Sequence, residues 1–276
     1  MCITNQTRGE LMHASQIRSS SPLANSVLGV RIWADGLDHL IDKSLAAIHG
    51  REPAHRPYVF ACANPHSLTV ADRDPMFKLA LREADAVVAD GVGVQIAANL
   101  CGRSLGPRIT GIDYFRALMA ALNRRGGARV AYFGSRESVL DQLVERGGAA
   151  FPHVSVTNAI SPPYGDWSPE TNQRFIDEIN ESKPDVLWVG MTAPKQEKWV
   201  RENQHKLDCG VVGSIGAVFD YFAGTVRRAP EWVCDMGLEW AYRLSREPKR
   251  LWHRTFVSAP QFLGLAMSEA LRGRPN

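Results

Sequence analysis

Ala86-Val87-Val88-Ala89-Asp90-Gly91-Val92-Gly93 is the stretch on which the fold turns. Four small or β-branched apolar residues stop abruptly at an acid and a spaced pair of glycines. A run so short and so apolar reads as a strand buried on both faces, and the glycines read as the turn into a helix. The pattern recurs. Apolar runs at Val27–Trp33, Tyr58–Cys62, Arg129–Phe133, Val154–Thr157, Val186–Val189 and Gly210–Val212 alternate with helical patterns at His39–His49, Asp113–Arg124, Ser138–Gly147, Pro169–Ser182 and Lys195–His205. Such alternation predicts an α/β fold with a mostly parallel sheet and helices on both faces. From Pro230 the strand patterns stop, and the C-terminal segment beyond it holds Trp232, Trp240 and Trp252. This predicts a C-terminal helical appendage. The expected organisation is a mobile tail over 1–26, an α/β core over 27–229 and a basic, aromatic appendage over 230–276.

Open parallel sheets bind ligands beyond the carboxyl ends of their strands. Those ends are followed here by Ala63-Asn64-Pro65-His66, by Asp90-Gly91-Val92-Gly93, by Gly134-Ser135, by Gly190 to Glu197 and by Gly213-Ser214-Ile215-Gly216. Glycine lets a backbone approach a ligand closely, and helix N-termini offer N–H groups to phosphate. A nucleotide or phosphorylated ligand is therefore expected. A dinucleotide fingerprint would need a third glycine where Ile96 stands, which disfavours a nicotinamide dehydrogenase. Asp90, at the end of an apolar strand, suits a general base whose pKa is raised by desolvation, but its local sequence favours a cap for the next helix. Asp72-Arg73-Asp74 has the D-x-D form of a metal–nucleotide site, but Asp74-Pro75 reads as an N-cap and first helical turn. The eight histidines show no ligand spacing, so no metal is expected.

The net charge of +3 over 276 residues excludes a bulk polycation and gives no sign of a nucleic-acid partner. The charge is unevenly placed. From Ala241 to Asn276 there are seven basic and two acidic residues, a balance of +5, which leaves −2 for residues 1–240. Arg243, Arg246, Arg250 and Arg254 are spaced for one helical face, with Pro248 expected to start a second helix and bend the stripe. Trp240, Leu244, Leu251, Trp252 and Phe256 lie among them, a combination that suits an anionic membrane interface. No apolar run approaches the ~20 residues of a membrane span. Thr255–Ser268, the longest candidate, is short and holds Pro260. The first 26 residues lack a signal-peptide core, and five cysteines without CxxC spacing fit a reducing, cytoplasmic compartment.

Taken together, Asn64, Ala89-Asp90-Gly91-Val92-Gly93, Arg108-Ile109-Thr110-Gly111-Ile112-Asp113, Pro194-Lys195-Gln196-Glu197, Gly216-Ala217-Val218-Phe219-Asp220, Arg228-Ala229-Pro230 and Gly237-Leu238-Glu239-Trp240, with Arg243, Glu247-Pro248 and Arg250, resemble the WecG/TagA/CpsF family, family 26 of the glycosyltransferases. The resemblance runs from about Val27 to Arg254. It implies a Rossmann-like fold and an inverting, metal-independent transfer without cofactor. The donor is a UDP-sugar, with N-acetylmannosamine, glucose or a similar sugar. The acceptor is a polyprenyl-diphosphate-linked sugar of bacterial envelope or exopolysaccharide synthesis. The enzyme would sit peripherally on the cytoplasmic face of the membrane, and a homo-oligomer is compatible with this. By resemblance, Asp90 is the base. Cys62, Asn64, Gly91, Arg108, Gly134, Ser135, Pro194, Gln196 and Asp220 form the substrate pocket. Arg228, Arg243, Arg250 and Arg254 face the diphosphate or acceptor. Cys62 stands where members often carry Thr, which bears on donor contacts. Two alternatives stay open: another nucleotide-dependent α/β enzyme, and a non-catalytic nucleotide-sugar-binding scaffold.

Overall fold

The computed structural model describes residues 25–51, 56–227, 229–230, 232–233, 236 and 238–272, without the side chains of Arg250, Leu251, His253, Arg254 and Arg272. Most of the tail expected over 1–26, and Arg228, lie outside the described residues.

Six parallel strands form the sheet, in the order β4-β3-β8-β7-β5-β6. They are β3 (Tyr58–Ala63), β4 (Ala86–Ala89), β5 (Ala128–Gly134), β6 (Val154–Ile160), β7 (Val186–Gly190) and β8 (Val211–Ser214). All six coincide with sequence-predicted strands to within a few residues. The seventh expectation, a single strand over Val27–Trp33, is corrected. That stretch is a hairpin of β1 (Ser26–Val27) and β2 (Val30–Arg31). Leu28 and Gly29 both take positive φ, 51° and 76°, which is the two-residue turn that reverses a chain.

Alternation along each strand divides the core between two faces. Val59, Ala61 and Ala63 pack with α2 (Pro65–Arg73), α3 (Pro75–Glu83), α4 (Val92–Leu100), α7 (Pro169–Glu181) and α8 (Lys195–Asn203). Phe60 packs with α1 (Leu37–His49), α5 (Gly111–Arg125), α6 (Glu137–Ala150) and α9 (Val218–Ala223). Covered on both sides, the strands other than the edge strand β6 read as apolar runs, which is why they were legible. At the amino edge, Asp85 and Asp185 repeat one device: each carboxylate accepts a neighbouring strand's N–H, from Val59 and Arg129 respectively, both at 2.8 Å. At the carboxyl edge the packing is glycine-dependent. A Cβ on Gly190 would overlap the Phe219 ring, and one on Gly213 would overlap Trp188.

The C-terminal part is helical, as expected: α10 (Glu239–Arg246), then α11 (Pro248–His253), a π-helical turn (Arg254–Ser258) and α12 (Ala259–Arg272) in unbroken succession. The π turn lies directly ahead of Pro260. Proline lacks an N–H and crowds the carbonyl four residues back, here Phe256, so the helical ladder slips at that point. Thr69 Oγ1 donates to the Ser258 carbonyl at 3.3 Å, and Ser258 Oγ lies 2.8 Å from His66 Nδ1. Helix α12 then packs on α2 and α4, burying Phe262 and Ala266. Glu269 accepts from Leu28 N at 2.7 Å and from Arg103 at 2.6 Å.

Gly190→Ala is expected to destabilise the protein by about 1–3 kcal/mol, the ordinary cost of overpacking, read as a lower urea midpoint at unchanged m-value. An unaltered midpoint would show that β7 and α9 are not in obligatory contact.

Candidate active site

The Asp90 amide donates to Ala63 O at 2.8 Å, so β3 and β4 stay paired up to the acid. Gly91 follows at φ 105°, a conformation that L side chains rarely adopt, with open space where a Cβ would lie. The requirement for glycine is therefore conformational. Gly91 is itself the N-cap of α4 and no side chain caps that helix. The capping alternative for Asp90 is thereby removed. A Cβ on Gly93 would come within 2.6 Å of Pro65, so α4 and α2 begin side by side.

The Asp90 carboxyl is held above the usual range, first by burial and then by the nearby Glu239. Arg243 and Arg108 pull the other way, and Asp113 adds to the rise. One carboxyl thus sits in the field of two guanidiniums and two acids contributed by the loop before α5, α5 itself and α10. A desolvated acid kept partly in check by cations is suited to taking and returning a proton.

Helix caps place the surrounding residues. Asn64 Oδ1 accepts from Ser67 N at 2.9 Å while Asn64 N donates to Ser67 Oγ at 2.8 Å. Thr110 and Asp113 form the same reciprocal box on α5, with Thr110 N donating to Asp113 Oδ2 at 3.0 Å. That box fixes the start of α5, shortly after Arg108. Gly111, its first residue, leaves room for Cys62: an added Cβ would lie 3.0 Å from the thiol. Burial, followed by the charges of Asp90, Glu197 and Asp113, pushes the Cys62 thiol well up, so it stays protonated and weakly polar.

A second group lines the edge at β5, β7 and β8. Gly134 and Ser135 take positive φ, 114° and 64°, and Ser135 O accepts from Ser161 Oγ at 2.9 Å. A Cβ on Gly134 would lie 2.7 Å from Gly190 O. Pro194 precedes α8 as its N-cap. Gln196 is buried. Its Oε1 accepts from Met191 N at 3.2 Å and its Nε2 donates to Glu197 at 2.8 Å. Asp220 holds its own loop, with Thr225 Oγ1 donating to its carbonyl at 3.1 Å.

Helix α10 carries Arg243 over the ring of Tyr221, 5.5 Å from its centroid. Arg243 Nε and Tyr221 Oη are both buried without a hydrogen-bond partner among the described residues. Two donors therefore lie near Asp90 with capacity to bind anionic oxygens. The side chains of Arg250 and Arg254 and the whole of Arg228 lie outside the described residues. Asp72 and Asp74 are engaged elsewhere: Asp72 lies 3.6 Å from Lys78, and Asp74 caps α3 through Phe77 N at 3.0 Å and pairs with Lys198. The N-cap reading of Asp74-Pro75 therefore holds.

Asp90, Arg108, Cys62 and Arg243 thus share one electrostatic neighbourhood. Gln196 joins it from behind through Glu197, and Asp220 faces its own loop. Tyr221 was not singled out by sequence, and Glu239 and Asp113 stood only inside the motifs of the resemblance, with no role assigned. Thr110-x-x-Asp113 spacing would have flagged the cap, whereas Tyr221 carried no local signal.

The Glycosyl transferase WecG/TagA/CpsF family model matches residues 25–276. An N-acetylglucosaminyldiphosphoundecaprenol N-acetyl-beta-D-mannosaminyltransferase from Bacillus spizizenii (strain ATCC 23059 / NRRL B-14472 / W23) is 31% identical over 73% of this chain and 75% of its own. A protein of the same name from Bacillus subtilis (strain 168) is 27% identical over 84% and 83%, and one from Staphylococcus aureus (strain MW2) is 28% identical over 68% and 72%. With the match spanning the sheet, the Asp90 edge and the C-terminal helices, the chain belongs to the WecG/TagA/CpsF family of glycosyltransferases.

Proposed function

We propose that the enzyme transfers a sugar from a UDP-sugar to a polyprenyl-diphosphate-linked sugar, with inversion and without a metal, in bacterial envelope or exopolysaccharide synthesis. The observation that carries this reading is the Asp90 carboxyl, raised by burial and flanked by Arg108 and Arg243. Asp90 takes the proton of the acceptor hydroxyl as its oxygen attacks the anomeric carbon. Attack from the face opposite the leaving group inverts that centre. The bond to the UDP oxygen breaks, and Arg243, whose Nε is buried and unpaired among the described residues, receives the charge that develops on the diphosphate. A guanidinium serves this purpose because it binds phosphate oxygens bidentately. The names of the three relatives support N-acetylmannosamine as donor sugar and an undecaprenyl-diphosphate acceptor.

Approach to such an acceptor calls for a membrane-facing surface. Among the described residues no helix is long and apolar enough to cross a membrane. The C-terminal helices do present Trp240, Trp252, Phe256, Leu263, Met267 and Leu271 to solvent, each at least 42% exposed. Leu263, Met267 and Leu271 recur every four residues, so they share one face of α12. Basic residues near an anionic surface add about 1 kcal/mol each. This supports peripheral attachment through α10 to α12.

Asp90→Asn is expected to keep the thermal melt and UDP affinity and to lower the transfer rate about 10²–10⁴-fold; near-wild-type transfer would end the assignment. EDTA is expected to leave the rate of UDP release unchanged, and abolition reversed by Mn²⁺ would overturn metal independence. Replacing Trp252, Phe256 and Met267 by Ser should weaken sedimentation with phosphatidylglycerol vesicles while the melt stays put. Undiminished sedimentation would place the membrane contact elsewhere.

A further inference from the structure

Glu197, one residue after Gln196, is buried on the face of the sheet that α3 and α8 cover. Its Oε1 accepts from Gln196 Nε2 at 2.8 Å, while Gln196 Oε1 accepts from Met191 N at 3.2 Å. Rotating the Gln196 amide by half a turn would set its NH₂ against the Met191 N–H and its oxygen against the Glu197 oxygen. The Met191 contact is then repulsive in any state, and the Glu197 contact is repulsive as long as the acid's proton sits on Oε2, so the two partners fix the amide's orientation. Gly216, at φ 50°, lies directly over that amide: a Cβ there would be 3.5 Å from both Nε2 and Oε1. The loop after β7 and the turn after β8 therefore meet on Gln196, and both belong to the ligand edge of the sheet.

The other carboxyl oxygen has a different setting. Glu197 Oε2, Ser214 Oγ and Gln204 Oε1 are all buried without hydrogen-bond partners among the described residues, and all three residues line one small cavity beneath the sheet edge. The other charged groups on that cavity are Glu83 and Arg201, which pair with each other at 2.8 Å. Cys62, across the strand, remains a neutral thiol. Among the described residues no free cation is thus available to a Glu197 carboxylate, whereas a carboxylic acid supplies one O–H donor to a cavity containing the Gln204 carbonyl oxygen.

We propose that Glu197 is a positioning residue, carried as a neutral acid, that locks the Gln196 amide and through it the Met191–Gly216 wall of the nucleotide-sugar pocket. The proposal rests on the glycosyltransferase reading of that pocket. Burial pushes the Glu197 carboxyl up to about 7, which agrees with the cavity's lack of a counter-charge. The sign follows from linkage: the folded state binds this proton more tightly than the unfolded chain, so the contribution to stability is complete below the ordinary carboxylate range and is lost as pH rises through about 7. Asp90, also raised, adds a slope of the same sign, so the informative quantity is the difference between wild type and variant.

Full-length wild type, Glu197→Gln and Glu197→Leu would be compared by UDP calorimetry and by melting temperature between pH 5 and 8. Glu197→Gln keeps an acceptor for Gln196 and cannot ionise. It is expected to bind UDP as wild type does and to show a flatter fall of melting temperature with pH. Glu197→Leu removes the acceptor and is expected to weaken UDP binding about tenfold, the worth of roughly one hydrogen bond. Equal UDP affinity in wild type and Glu197→Leu would overturn the positioning role. A wild-type pH slope in Glu197→Gln would overturn the neutral state, and that result decides even if Glu197→Leu fails to fold. Wild type that does not bind UDP would refute the donor reading instead, leaving the melting slopes to judge the protonation state.

Discussion

The hydrogen bond from Asp90 N to Ala63 O is the last rung between β3 and β4, and the site is arranged around it. It holds the backbone of the acid at the sheet edge while Gly91 turns the chain away into α4. With the backbone fixed on one side and released on the other, the carboxyl has a defined place. Helices α2 and α5, each started by a reciprocal side-chain cap, then bring Asn64 and Arg108 to the same edge. The cost of desolvating Asp90 is offset in part by two arginines from distant points in the sequence. Burial and Glu239 raise the carboxyl, and Arg243 and Arg108 draw it back toward its ordinary range.

Much of this was legible in the sequence because the strands other than edge β6 are buried on both faces and several carboxyl ends carry turn residues. Ala86–Ala89 could hardly be anything else, and Asp74-Pro75 declared its own cap. The Val27–Trp33 run misled because apolar content says nothing about the sign of φ, and Leu28 is a poor advertisement for a turn. Asp90 and Arg243 were both read as site residues, Arg243 only through a resemblance, and the structure places them in one electrostatic neighbourhood. Tyr221 was missed, and Glu239 had no role of its own, because their part depends on how α10 returns over α9, a tertiary arrangement that no spacing encodes. Gln196 gained a different character. Sequence offered it as a pocket group, while its hydrogen bonds tie it to the loop after β7 and its amide lies against the turn at Gly216.

Charge placement ties these observations together. The positive balance of the last 36 residues reaches the Asp90 edge of the sheet through Arg243, which lies on a tyrosine ring with its Nε unpaired among the described residues. A guanidinium nitrogen left unpaired in a buried setting is costly unless an anion arrives. The same segment presents aromatic and aliphatic side chains outward. One helical region thus carries a cation beside Asp90 on its inner side and exposed apolar side chains on its outer side.

The contact between Leu28 N and Glu269 spans 241 positions, nearly the whole described chain. Closing a loop of that length is entropically unfavourable until the intervening sheet has formed. The hairpin at one end and α12 at the other are thereby joined late, as a clasp shut around a finished body. For polypeptide emerging in sequence order, the opening segment waits for the closing one, and a chain cut short at its end leaves its beginning untied.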